Sequence, residues 1–265
     1  MGDILEKIAE ATRIRVAESK KLVPEDELRN KALSLYEERG RNCSTSFKDA
    51  LAKDGMSFIC ECKKASPSKG IIAEDFPYLE IAKDYEAAGA SAISVLTEPQ
   101  WFKGDLKYLK EISSEVNIPV LRKDFTVSPY MIYEAYINGA SAVLLICSLL
   151  DRETLEEYIG IAKSLGLDAL VEAHDEDEVL MAIETGAEII GVNNRNLRTF
   201  EVNASNCLRL RDKVPAGILF VAESGIKDRD DIKILEDNKV DAVLVGEALM
   251  RSPDRKAYLS KLKYD

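Results

Sequence analysis

Short runs of apolar residues recur along the chain, separated by charged stretches. The runs are Phe58–Cys62, Ala92–Leu96, Ile118–Leu121, Ala142–Ile146, Ala169–Val171, Ile189–Val192, Ile218–Ala222 and Ala242–Val245, eight in all. Several are rich in Val and Ile and apolar at both odd and even positions, as in strands buried on both faces of a parallel sheet. Intervening segments such as Glu153–Leu165 and Glu176–Glu184 carry the apolar spacing of amphipathic helices. Eight alternating strand–helix units predict an α/β fold of the (β/α)8 TIM-barrel type. An open doubly wound sheet is the competitor, disfavoured because no Gly-x-Gly-x-x-Gly follows the first run.

An internal repeat points the same way. Gly89-Ala90-Ser91-Ala92, Gly139-Ala140-Ser141-Ala142 and Gly186-Ala187 precede the second, fourth and sixth runs, at spacings of 50 and 47 residues. A further step reaches Asn238, ahead of the eighth. Each Gly predicts a left-handed helix end, and each Ala leaves room for helix and strand to pack closely. Gly-Ala is also common before any α/β strand, and either origin supports the same class. Residues 1–50 stand outside the repeat. Leu5, Ile8, Ala9, Thr12 and Val16 follow helical spacing, Pro24-Glu25-Asp26 starts a second helix, and Gly40 ends it. This segment has too little core to fold alone. It predicts an N-terminal helical extension packed on the bottom or over the mouth of a catalytic barrel of residues 51–265, a single domain overall.

Composition narrows the chemistry. The chain has 265 residues, with 36 Lys plus Arg against 47 Asp plus Glu, a net charge of −11. That speaks against nucleic acid or an anionic membrane as a partner. A single histidine, His174, rules out a multi-histidine metal site and argues against a His-centred triad, leaving Lys and Glu to move protons. Five cysteines, with Cys60 and Cys62 unmatched by a second pair, predict neither a disulfide framework nor a zinc site. The charged N-terminus and the lack of any 18-residue apolar run predict a cytoplasmic protein without a signal peptide or membrane span.

A barrel of this kind works at the C-terminal ends of its strands. Those ends read Glu61-Cys62-Lys63, Arg122-Lys123-Asp124-Phe125, Val171-Glu172-Ala173-His174, Asn193-Asn194-Arg195-Asn196, Glu223-Ser224-Gly225 and Gly246-Glu247. Alternation puts Glu61 and Lys63 on one face and Cys60 and Cys62 on the other, where thiols act as small apolar fillers. Lys123 shares the parity of Leu121, and partial burial among other cations would lower its pKa towards the working range of a general acid or base. Glu172 is the matching carboxylate on the fifth strand, and Arg195 supplies a fork suited to a carboxylate or phosphate. The Ser224-Gly225 and Gly246-Glu247 turns follow the seventh and eighth strands, where such barrels commonly bind phosphate. Asp124 is expected to be structural, and His174 to be a solvated rim group without a role.

These residues resemble one family closely, the indole-3-glycerol phosphate synthases of tryptophan biosynthesis. Phe58-Ile59-Cys60-Glu61-Cys62-Lys63-Lys64-Ala65-Ser66-Pro67-Ser68-Lys69-Gly70 is similar to the family's first-strand signature. Leu121–Phe125, Val171–His174, Gly191–Leu197, Val221–Ile226 and Val245–Glu247 follow in the family's order and spacing. The resemblance covers essentially the whole chain, helical arm included, and matches the form without a second barrel. It implies closure of the pyrrole ring of 1-(2-carboxyphenylamino)-1-deoxyribulose 5-phosphate, with loss of carbon dioxide and water. By resemblance Lys123 is the general acid, Glu172 the base of dehydration, and Glu61 and Lys63 share the last step. Asn193 and Arg195 orient the substrate's carboxylate and hydroxyls. Ser66, Ser224, Gly225, Gly246 and Glu247 match the phosphate end, and Phe102 and Phe125 line the anthranilate pocket. No cofactor and no metal are implied; the partner is a small phosphorylated substrate, and a monomer is favoured. Asn196 stands where the family usually has Asp, which puts one supporting ion pair in doubt. The rivals are another phosphate-binding barrel, such as a phosphoribosylanthranilate isomerase, and a non-catalytic sugar-phosphate binder. The first needs an inward Cys with an Asp, and the second should have lost Lys123 or Glu172.

Overall fold

The computed structural model describes residues 4–195, 202–203 and 205–264. Eight parallel strands close on themselves: β1 (Ser57–Cys62), β2 (Ala92–Leu96), β3 (Val120–Lys123), β4 (Ala142–Ile146), β5 (Asp168–Ala173), β6 (Ile189–Asn193), β7 (Leu219–Glu223) and β8 (Ala242–Val245). Each pairs with the next, and β8 returns to β1 in the register Ser57↔Ala242 and Ile59↔Leu244. Four strands run past their apolar residues at the C-terminal end, to Lys123, Ala173, Asn193 and Glu223. Polarity ends an apolar run but not a backbone ladder. At the other end β3 starts at Val120, two residues later than its apolar run, because Pro119 has no N–H to give the ladder.

Alternation along the strands makes two cores. Outward residues such as Phe58, Cys60, Cys62, Ile93 and Val143 pack under the helices. Inward Ile59, Ala92, Leu121, Ala142, Leu170, Ile189, Val221 and Ala242 fill the barrel's lower interior. Helices α4 (Tyr78–Ala87), α5 (Leu106–Glu115), α6 (Pro129–Ile137), α7 (Arg152–Ser164), α8 (Glu176–Glu184), α9 (Ser205–Arg211), α10 (Arg229–Asp237), α11 (Glu247–Arg251) and α12 (Arg255–Lys263) follow the strands. Side chains of Asp105, Ser128, Asp151, Asp175, Asp228 and Asp254 accept from first-turn amides and so start six of them. Gly89, Gly139 and Gly186 take φ of 79°, 88° and 81°. In the fourth repeat the left-handed residue is Lys239 (φ 59°) and not Asn238, so this position tolerates a side chain.

Before β1 lie α1 (Ile4–Leu22), α2 (Glu25–Arg39) and α3 (Phe47–Leu51). They occupy both ends of the barrel rather than one. Phe47 and Leu51 of α3 close the bottom against Ile59 and Ala92, and the Lys48 amide donates to Asp168 at the start of β5 (2.9 Å). Leu5 and Ile8 of α1 join Phe125, Leu144, Ile146 and Leu244 near the top. The Arg15 guanidinium grips the buried Asp124 beyond β3 at 2.8 and 3.0 Å. Asp124 also accepts from Thr97 Oγ1 (2.7 Å) and the Phe125 amide (2.8 Å), which ties the arm to the end of β3. Among the described residues no helix is long and apolar enough to cross a membrane.

Candidate active site

The inward alternation that places Ile59, Leu121, Leu170 and Val221 in the interior brings Glu61, Lys123, Glu172 and Glu223 to its upper edge two residues later. Above them opens a cavity of about 700 Å³. All thirteen residues singled out in the sequence line it: Glu61, Lys63, Ser66, Phe102, Lys123, Phe125, Glu172, Asn193, Arg195, Ser224, Gly225, Gly246 and Glu247. Asn196 lies outside the described residues.

At the floor the Lys123 ammonium donates to Glu223 Oε2 (2.9 Å) and to Glu172 Oε2 (3.3 Å). The surroundings are anionic, not cationic, which reverses the expected pKa shift. Burial pulls the lysine pKa down, but Glu223, Glu172 and Glu61 together outweigh it, and the net shift is upward. Burial pushes Glu172 up, yet Lys123 and His174 outweigh it and hold the carboxyl below its ordinary value. Glu223 goes the other way. Burial and the charge of Glu172 exceed the pull of Lys123, and its pKa is pushed up to about 7. Two buried carboxylates on one cation thus have different readiness to carry a proton.

Glu223 stands on this floor against Lys123, a position that the sequence reading left without a role. It was visible as the end of an apolar run but carried no role. The available signal was its parity with Val221, which points it inward. Its Oε1 is buried without a hydrogen-bond partner, and a Cβ on Gly191 would approach that oxygen to 2.5 Å. Glycine at 191 therefore makes room for this carboxylate.

Beside this cluster Lys63 pairs with Glu61 at 2.6 Å. A Cβ on Gly246 would overlap Glu61 Oε2. Asn193 Oδ1 accepts from Ser224 Oγ (2.9 Å) and the Arg195 amide (3.0 Å), joining the ends of β6 and β7. Ser224 and Gly225 are successively left-handed, with φ of 65° and 87°, so the chain turns sharply as it leaves β7. Arg195 and Lys69 each reach within 3.9 Å of Glu247. On the opposite wall the Phe102 and Phe125 rings lie 6.0 Å apart and tilted by 40°. The loop bearing Phe102 winds around the buried Glu98 carboxylate, which accepts from the amides of Gln100, Trp101 and Phe102 at 2.9, 2.7 and 3.0 Å.

His174 is largely buried, not a solvated rim group; its side chain keeps 20% exposure. Cys60 and Cys62 are buried on the outward face, where burial pushes both thiols up and keeps them neutral. Among the described residues no group of three His, Cys, Asp or Glu side chains is arranged to hold a metal; the Lys123 ammonium occupies the point where the floor carboxylates meet. Such a cavity can present a cation to a developing oxyanion, take a proton on a carboxylate, and clamp an aromatic ring.

Residues 5–262 match the family model described as indole-3-glycerol phosphate synthase. An indole-3-glycerol phosphate synthase of Ruminiclostridium cellulolyticum is 58% identical over 261 residues, covering 98% of either chain. One from Endomicrobium trichonymphae is 52% identical over 265 residues, covering 98% of this chain and 99% of that one. Among solved structures, a 3-hexulose-6-phosphate synthase superposes with a TM-score of 0.63 over 78% of this chain and 98% of its own, at 17% identity, a likeness of fold alone.

Proposed function

The chain belongs to the indole-3-glycerol phosphate synthase family, a carboxy-lyase of tryptophan biosynthesis, and from that premise we propose how its cavity divides the work. The observation that carries the reading is the Lys123 ammonium, buried at the cavity floor between Glu172 and Glu223.

The substrate, 1-(2-carboxyphenylamino)-1-deoxyribulose 5-phosphate, lies with its aromatic ring at Phe102 and Phe125, roofed by Leu5 and Ile8 of α1. Offset or edge contacts with the two tilted rings suit it. Its phosphate takes the far end, at Ser66, Ser224, Gly225, Gly246 and the Glu247 amide. Arg195 and Asn193 orient the carboxylate and hydroxyls. The ring carbon bearing the carboxylate attacks the C2 ketone, and Lys123 gives a proton to the alkoxide that forms. Its raised pKa suits this step. The lysine stays charged through the neutral range, and an alkoxide is a strong enough base to take its proton. The cationic ring left behind is the electron sink for loss of carbon dioxide. In the dehydration Glu172 removes a proton from C1, and Lys63, paired with Glu61, protonates the departing hydroxyl. Glu223 holds Lys123 in place and in charge.

The test is indole fluorescence on mixing purified protein with this substrate, for the wild type and for Lys123→Ala. The variant is expected to bind substrate and lose roughly 10²–10⁴-fold in kcat, the usual range for a general acid. Near-normal kcat in the variant removes Lys123 from the role.

A further inference from the structure

The reaction as written consumes a proton. The substrate's carboxylate leaves as neutral carbon dioxide, the alkoxide and the departing hydroxide each take a proton, and C1 returns only one. One proton per turnover must therefore come from water before Lys123 can act as an acid again.

Behind the cavity wall lies a row of groups that reaches Lys123. Glu178, in the first turn of α8, accepts from the His174 amide (2.7 Å) and lies 3.2 Å from His174 Nδ1. The Asp175 side chain accepts from the Glu178 amide (2.9 Å), so a reciprocal cap locks Glu178 in place. The other ring nitrogen, Nε2, is buried, makes no aligned hydrogen bond, and points within 3.4 Å of Glu172 Oε1. Glu172 Oε2 then contacts Lys123 Nζ at 3.3 Å. His174 and Glu178 do not line the cavity, yet their side chains are 20% and 17% exposed. The row runs from the surface behind the wall and meets the cavity only at Glu172, next to the acid.

We propose that Glu178, His174 and Glu172 form the route by which a proton from water reaches Lys123 during turnover, with His174 as a relay that never touches substrate. This rests on the reading of Lys123 as acid and Glu172 as base. After Lys123 has protonated the alkoxide, the His174 Nε2–H bond breaks and its proton passes to Glu172 Oε1. The carboxyl group rotates and gives that same proton to neutral Lys123, while the imidazole, left with its Nδ1–H, turns over and takes a proton from water through Glu178 on its bare nitrogen. Glu172 ends as a carboxylate, free for the dehydration. The groups facing the imidazole are Glu172 on β5, Glu178 on α8, Glu223 on β7 and, beyond Glu172, Lys123 on β3. Burial lowers the imidazole's pKa, but Glu178, Glu172 and Glu223 outweigh it and keep it above the ordinary value. The Cys147 thiol near Glu178 and Glu172 is pushed up by burial and stays neutral.

The experiment is rapid-mixing kinetics on His174→Gln and Glu178→Gln, the second retaining an oxygen for the His174 amide. Each is expected to form the first equivalent of product at the wild-type rate, then turn over roughly tenfold or more slowly. KM should be unchanged, and kcat should climb as imidazole buffer is added. Wild-type turnover, or an equal loss in first and later turnovers without buffer rescue, overturns the relay. Lys123→Ala tells the two layers apart. If it keeps turnover, the assignment beneath has failed; if it is dead while both relay variants match the wild type, only the relay has failed.

Discussion

Glu172 and Glu223 share one lysine, yet their pKa values move in opposite directions, and the difference lies in their other neighbours. Glu172 also faces His174 and Asn193, which favour its charged form, whereas Glu223 leaves one oxygen bare. Glu172→Gln should cost roughly 10²–10⁴-fold in kcat, as expected of a lost base, with circular dichroism unchanged. A collapse of the fold would instead make it structural. Glu223→Gln removes the largest of the charges that raise Lys123. The alkaline limb of the kcat–pH profile should move to lower pH, and an unmoved limb would show that Glu223 does not govern the lysine. At this scale the sequence revealed side-chain types and parity. It suggested that Lys123 lay among other cations. Three carboxylates from separate strands surround it instead, and only barrel closure brings them together.

The helix ends show how much one element's sequence can say. Gly139 and Gly186 stand in the same repeat with nearly the same φ, but a Cβ at 139 would overlap Ser113 Oγ, and one at 186 would meet nothing within 4 Å. Gly186→Ala should therefore cost only the left-handed strain, about 1 kcal/mol. Gly139→Ala should cost about 2–3 kcal/mol, strain plus the shift of Ser113. Urea unfolding of the two variants checks this, and equal losses would refute the steric part. The Gly-Ala repeat was legible because it is a local backbone demand. The arm before β1 was legible as helix but not as to place. Its apolar spacing marks a buried face without saying what covers it, and α1 and α3 go to opposite ends of the barrel.

For the whole molecule, the net charge of −11 and the cavity tell different stories. Six cations (Lys63, Lys69, Lys123, Arg195, Lys227 and Arg251) and six acids (Glu61, Asp124, Glu172, Glu223, Asp231 and Glu247) line the cavity, so the acidic excess sits elsewhere. The buried groups set how stability varies with pH. Glu223 and His174 have raised pKa values in the folded state. The stability they contribute is complete below their ordinary values of 4.5 and 6.5, and is lost as pH rises through the folded values, for Glu223 about 7. Glu172 and Asp124 are lowered, so theirs is present above 4.5 and 3.8 and lost in acid as pH falls through the folded values. The urea midpoint should peak at mildly acid pH, roughly 5–6, and decline towards pH 8. Glu223→Gln should flatten that decline; a wild-type midpoint still rising above pH 7 would contradict these shifts.

The sequence by itself determined the eight barrel strands, the left-handed helix ends at Gly89, Gly139 and Gly186, the inward parity of Glu61, Lys63 and Lys123, and the family. Each of these is written in local periodicity or in a contiguous motif, because alternation and capping act over a few residues. Only the tertiary structure decided which charges meet. It set Glu223 against Lys123, made room for it with Gly191 from the neighbouring strand, and turned His174 from the rim towards Glu172. The first two relations join residues 100 and 32 positions apart, and the energies of all three depend on burial and distance, which exist only once the barrel has closed.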